Sequence, residues 1–137
     1  MAAELGAAAP PSSETAPARR VLAADAIFEL VLAVLLVTEP VALGRVVELP
    51  VPTWAIVLTG VVLVPVGGVL ALLSRLASPP AALLRLVAGL NLATGVGFTL
   101  WLVLDRSGFD APATAFVAAV NACLVLLAAG QVASTRR

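Results

Sequence analysis

The sequence has no histidine, no lysine and no tyrosine, and its one cysteine is Cys123. Without histidine there is no zinc site of the usual ligand set and no imidazole base. Without lysine there is no Schiff-base nucleophile and no phosphate-loop cation. A lone cysteine cannot close an intrachain disulfide and says nothing about redox compartment. Charge is also scarce, at 12% of residues against about 25% in soluble domains. The eight basic residues, all arginine, balance eight acids to a net charge of zero. That balance excludes a nucleic-acid binder, which needs excess cations to displace counterions. No glycine-rich loop follows a strand, and the longest connection between apolar stretches is about 15 residues, Glu39 to Thr53. A water-exposed catalytic domain has no room, so we expect no enzyme, no cofactor and no metal.

What the chain does hold is apolar surface. Of its 137 residues, 61% are hydrophobic, against roughly 45–50% in soluble proteins. A membrane protein follows. Residues 1–20 are the exception, rich in Ala, Pro, Ser and Glu. They bury too little to offset ordering entropy and are expected to be a disordered tail. Beyond them, charge-free runs extend over Leu49–Ser74, Leu86–Leu104 and Ala111–Thr135. About 20 helical residues cross a hydrocarbon core of about 30 Å. The sequence therefore predicts an all-α bundle of four transmembrane helices near 21–38, 54–73, 84–104 and 113–133, with 134–137 as a short tail. No stretch alternates as a barrel strand would. Pro52, Pro80 and Pro112 each stand just ahead of an apolar run, where proline starts a helix without losing a hydrogen bond.

The first span contains two carboxylates. A charge at a helix centre costs roughly 2.5–3.5 kcal/mol on insertion scales, and each large apolar residue returns about 0.3–0.6 kcal/mol. Eleven Leu, Ile, Val and Phe residues stand against Asp25 and Glu29, so insertion is near break-even and needs neighbouring helices. A cleaved signal peptide starting at Arg19-Arg20 is the alternative; the two carboxylates argue against it.

Four spans put both tails and the 74–83 loop on one side. Arg19, Arg20, Arg75, Arg85, Arg136 and Arg137 fall there, against Arg45 and Arg106 on the other. The basic side is expected to be cytoplasmic. The chain also matches itself weakly. A shift of 62 overlays Glu48-Leu-Pro50 on Asp110-Ala-Pro112 and Trp54 on Phe116; a shift of 66 overlays Asp25 on Asn91. Parallel duplication of a two-helix unit and chance similarity between apolar helices both produce such matches.

Polar residues inside the spans are the candidate site. Asp25 and Glu29, four apart, share a helix face. Depth along the spans places Asp25, Arg85 and Gln131 in one layer and Glu29, Asn91 and Asn121 in a deeper one. A carboxyl that exchanges protons within the membrane could carry protons or hold a cationic solute. The same residues also read as structural pairing, with arginines reaching to the interface and Asn acting as interhelical glue. Small residues recur every four positions at Gly89, Ala93 and Gly97 and at Ala115, Ala119 and Cys123. These stripes are expected to pack the third span on the fourth. Pro65, with Gly67 and Gly68, is expected to kink the second span. Trp54 and Trp101 are expected to anchor span ends at the interface.

From Arg20 to Arg137 the chain resembles small, uncharacterised four-helix integral membrane proteins of high-GC bacteria. Its arginine-only cations, its Ala/Val/Leu/Gly bias, Asp25 and Glu29, Pro52-Thr-Trp54 and Gly89-Leu-Asn91 carry that likeness. The first-span carboxylate in Ala26-Ile27-Phe28-Glu29 also resembles that of the small multidrug resistance transporters. That likeness implies proton-coupled export of cations through Glu29. This chain departs from them in its greater length, its lack of tyrosine and its strong charge bias. Of two functions, the first is the expected one and the second its alternative. One is a non-enzymatic subunit that meets the lipid bilayer, a second copy or another membrane protein; the other is a proton-coupled transporter of small molecules.

Overall fold

The computed structural model describes residues 16–136. Among them there are four long helices, one short helix and no strand. The long helices are α1 (Ala16–Thr38), α3 (Thr53–Leu73), α4 (Ala81–Leu104) and α5 (Ala111–Ser134); the short one is α2 (Pro40–Val46). All four long helices are long and apolar enough to cross a membrane. Large apolar side chains point outward all round the bundle, Val31 at 64% exposed and Leu126 at 71%. A water-soluble domain does not wear such a surface.

The helices start where the prolines stand. Pro52 and Pro80 occupy the cap positions of α3 and α4 in extended conformation. Asp110 caps α5, its Oδ1 accepting from the Ala113 N–H at 2.6 Å. The limits of α3, α4 and α5 agree with the expected spans to within three residues. The exception is the first, where Ala16–Arg20, expected in the tail, belong to α1. Alanine and arginine are good helix formers, and the buried face that starts at Ala18 and Leu22 repays their ordering. Residues 1–15 of the expected tail lie outside the described residues.

The connection before α3 also differs from a plain loop. α2 opens with Pro40 in its first turn, and Leu43 with Val47 just past its end bury against Leu36 and Ile56. Glu48 then turns the chain at φ 37°, a left-handed conformation that costs most side chains roughly 1–2 kcal/mol.

Packing is organised as two hairpins. α1 packs chiefly on α3 and α4 chiefly on α5, with α1 and α5 joining the pairs. Close approach of α3 to α1 occurs at Gly60 and Gly67. A Cβ on Gly60 would meet Val37 at 2.8 Å, and one on Gly67 would meet Leu30 at 2.7 Å. α3 stays helical through Pro65, whose ring lies on the exposed side. Gly67 thus works as a packing contact, while Gly68 has nothing within 4 Å of its Cβ position.

The expected packing stripes do not pack. Gly89, Ala93 and Gly97 are exposed, as are Ala115 and Ala119, and only Cys123 is half-buried. The buried face of α4 is instead Leu84, Val87, Ala88, Asn91 and Gly95. In α5 it is Ala113, Val117, Val120, Leu124, Ala128 and Gln131. Spacings of three and four recur on both, as a bundle seam requires. Several such stripes are available on an all-apolar helix, and residue size alone does not choose among them.

Candidate functional site

One end of the bundle holds the start of α1 and the end of α5. There Asp25, fully buried, meets Asn91 and Gln131. Gln131 Nε2 donates to Asp25 Oδ2 at 2.6 Å, and Asn91 Nδ2 donates to the same oxygen at 3.1 Å. Asn91 Nδ2 also lies 3.4 Å from Gln131 Oε1. The three side chains tie α1, α4 and α5 together. Asp25 Oδ1 is buried with no hydrogen-bond partner.

Of the six polar residues expected to cluster, the structure brings together these three. Arg85 is exposed and makes no hydrogen bond with them. Six residues separate it from Asn91, about 240° of helical rotation, which puts its side chain outside the seam. Asn91, expected deeper with Glu29, lies in the Asp25 layer instead. Asn121 is apart from both carboxylates. Its Nδ2 donates to Thr99 Oγ1 at 2.8 Å, while its Oδ1 crowds Gly95 and finds no donor. Depth along a span fixes height but not rotation, and rotation decides partners.

Glu29 lies one turn beyond Asp25 on the same face of α1. It is 7% exposed, and its Oε2 is buried with no hydrogen-bond partner. No arginine among the described residues donates to either carboxylate; Arg20, the nearest in sequence, is exposed, and Arg19 donates its Nε to the Ser74 carbonyl at 3.1 Å. A buried charge without a partner is costly, so this carboxyl must be matched by a proton or by a cationic group.

The face of α1 that carries Asp25 and Glu29 continues into Leu32 and Leu36. Those two line a cavity of about 160 Å³ at the end of the bundle away from the described termini. All four long helices contribute to its wall, with Leu49 and Val51 from the chain before α3. Phe98, Trp101 and Phe116 supply aromatic surface. Phe109 backs Trp101 edge-on, ring centroids 4.7 Å apart at 73°. Most of the chain's four Phe and two Trp residues are gathered here. Trp54, by contrast, is 68% exposed on α3. In size the cavity compares with the roughly 150 Å³ apolar space that accepts benzene in an engineered core.

The cavity was not legible beforehand. Its sequence signal is the Phe98–Trp101 spacing of three, with Phe116 one turn into the next helix. Among the described residues, no group of three His, Cys, Asp or Glu side chains is placed to hold a metal ion.

Comparison with family models, with curated proteins and with solved structures finds no match to this chain.

Proposed function

We propose that this chain is a non-enzymatic, multi-pass protein of the cytoplasmic membrane that exchanges a small organic cation against a proton on Glu29. The cytoplasmic placement of both termini rests on the arginine bias of the sequence. The observation that carries the reading is the state of Glu29. Its Oε2 is buried and unpartnered, no arginine among the described residues bonds to it, and further along its helix face Leu32 and Leu36 line an aromatic-walled cavity that Glu29 itself does not line. Asp25 has a different task, held by Asn91 and Gln131 as an interhelical tie.

The chemistry is simple charge exchange. A protonated Glu29 is neutral and tolerable in a dry bundle. Loss of its proton leaves a carboxylate that a monovalent cation neutralises. The aromatic faces of Phe98, Trp101 and Phe116 favour a cationic ligand with an apolar body. Either occupant leaves the site neutral, so one exchanges for the other.

The test is uptake of radiolabelled benzyltrimethylammonium into proteoliposomes under an imposed pH gradient. The wild-type protein is expected to move the cation in response to the gradient. Glu29→Gln, with unchanged thermal stability in detergent, is expected to abolish that response. Equal gradient-driven uptake by both forms, or none by the wild type, overturns the proposal.

A second reading, a subunit that packs against another membrane helix, has its own support. Gly89 and Gly97 face outward with nothing within 4 Å of their Cβ positions. Small outward residues of this kind admit a close partner helix in lipid. Gly97→Leu would then dissociate an assembly seen by cross-linking in membranes; an unchanged cross-linking pattern removes this reading.

A further inference from the structure

We infer that the two grooves flanking α5 at the termini end of the bundle each seat an anionic phospholipid. The first lies between α1 and α5. Arg20 stands at its mouth, Gly130 beside it, and Phe28 and Cys123 at its deep end. The second lies between α4 and α5, with Arg136 at its mouth and Leu92 and Val125 deeper. Apart from Arg20 and Arg136, neither groove is lined by a charged residue. Both are therefore apolar channels with one positive group at the same end.

Three features fit a phospholipid lengthwise. Arg20 and Arg136 are exposed, and a guanidinium offers phosphate two parallel hydrogen bonds. Arg20 and Phe28 are eight residues apart, about 12 Å along a helix, close to the roughly 15 Å depth of one leaflet. Gly130 leaves width, since a Cβ there would already sit 3.3 Å from Val21. The distal groove between α4 and α5, lined by Thr99 and Asn121 among others, has no charged residue at all. Charge at one end only selects anionic lipid from one leaflet. Arg19 is already bonded to the Ser74 carbonyl, and Arg85 lines neither groove. The inference is independent of what Glu29 does.

The test is native mass spectrometry of the full chain released from nanodiscs of equal phosphatidylglycerol and phosphatidylcholine. Two retained phosphatidylglycerol molecules per chain are expected. Arg20→Gln and Arg136→Gln should each reduce the retention of one lipid by about fivefold, the scale of one arginine at an anionic surface. Arg85→Gln serves as the control and should change nothing. Alkylation of Cys123 by N-ethylmaleimide gives a second readout. It should run slower in phosphatidylglycerol than in phosphatidylcholine, and Arg20→Gln, but not Arg136→Gln, should erase the difference. Excess soluble glycerol phosphate should displace nothing. Retention unaffected by Arg20→Gln and Arg136→Gln, an equal loss with Arg85→Gln, or displacement by glycerol phosphate would overturn the inference.

Discussion

Two carboxylates one turn apart divide the labour at the scale of single residues. Asp25 receives two interhelical hydrogen bonds, and Glu29 receives none. Their substitutions should therefore separate. Gln131→Leu removes a donor from a fully buried carboxylate and is expected to destabilise the bundle by about 1–2 kcal/mol, read by denaturation in detergent. Glu29→Gln removes no such bond and should shift the same measurement by less than about 1 kcal/mol. A stability loss at Glu29 equal to that at Gln131 would make both carboxylates structural. Asp110→Ala deletes the α5 cap and should cost about 1 kcal/mol. These partners were only partly readable beforehand. Polar residues inside an apolar run announce themselves by type, which is how Asp25, Asn91 and Gln131 were singled out. Which of them meet depends on rotation about each helix axis, and that is where Arg85 and Asn121 fell away.

Among elements, the contrast between glycines is the clearest consequence of packing. Gly60 lies against Leu36, Val37 and the Ala33 carbonyl, with backbone oxygen 3.0 Å from where a Cβ would go. Gly60→Ala forces α1 and α3 apart and should cost about 1–3 kcal/mol. Gly97→Ala meets open space and gains up to about 1 kcal/mol of helix propensity. Melting temperatures of the two variants in one detergent check the pair; a larger loss at Gly97 would refute the seam described above. Here the sequence misled for a physical reason. In water, a helix advertises its buried face by polarity. In lipid both faces are apolar, so the small-residue stripes of α4 and α5 carried no directional information. Length and charge gaps survived that loss, and the four spans were legible to within a few residues.

Across the whole molecule, the two hairpins bring together one pair of positions that the weak internal repeat superposes. Asp25 and Asn91, the pair superposed by a shift of 66, meet in the bundle, with Asn91 Nδ2 donating to Asp25 Oδ2. A two-fold axis exchanging the hairpins would also pack α4 on α3 as α1 packs on α5, and α4 on α3 is not among the principal packings of the described residues, so the contact does not distinguish duplication from chance likeness. The start of α1 and the end of α5 share one end, as an even number of spanning helices demands. Reporter fusions at the two termini are expected to read the same compartment, the cytoplasm, in line with the arginine bias. Opposite readings would remove one span from the membrane. The aromatic cavity remained hidden at sequence level because its wall is drawn from segments far apart along the chain.

The bond between Gln131 and Asp25 joins positions 106 apart, which imposes an order on biogenesis. A ribosome delivers α1 before either amide that bonds its carboxylate has been made, Asn91 on α4 first and Gln131 on α5 last. Until α5 emerges, the carboxylate has only the Asn91 amide within reach, the longer of its two bonds. Truncated products that stop short of Gln131 should accordingly be cleared by membrane proteases.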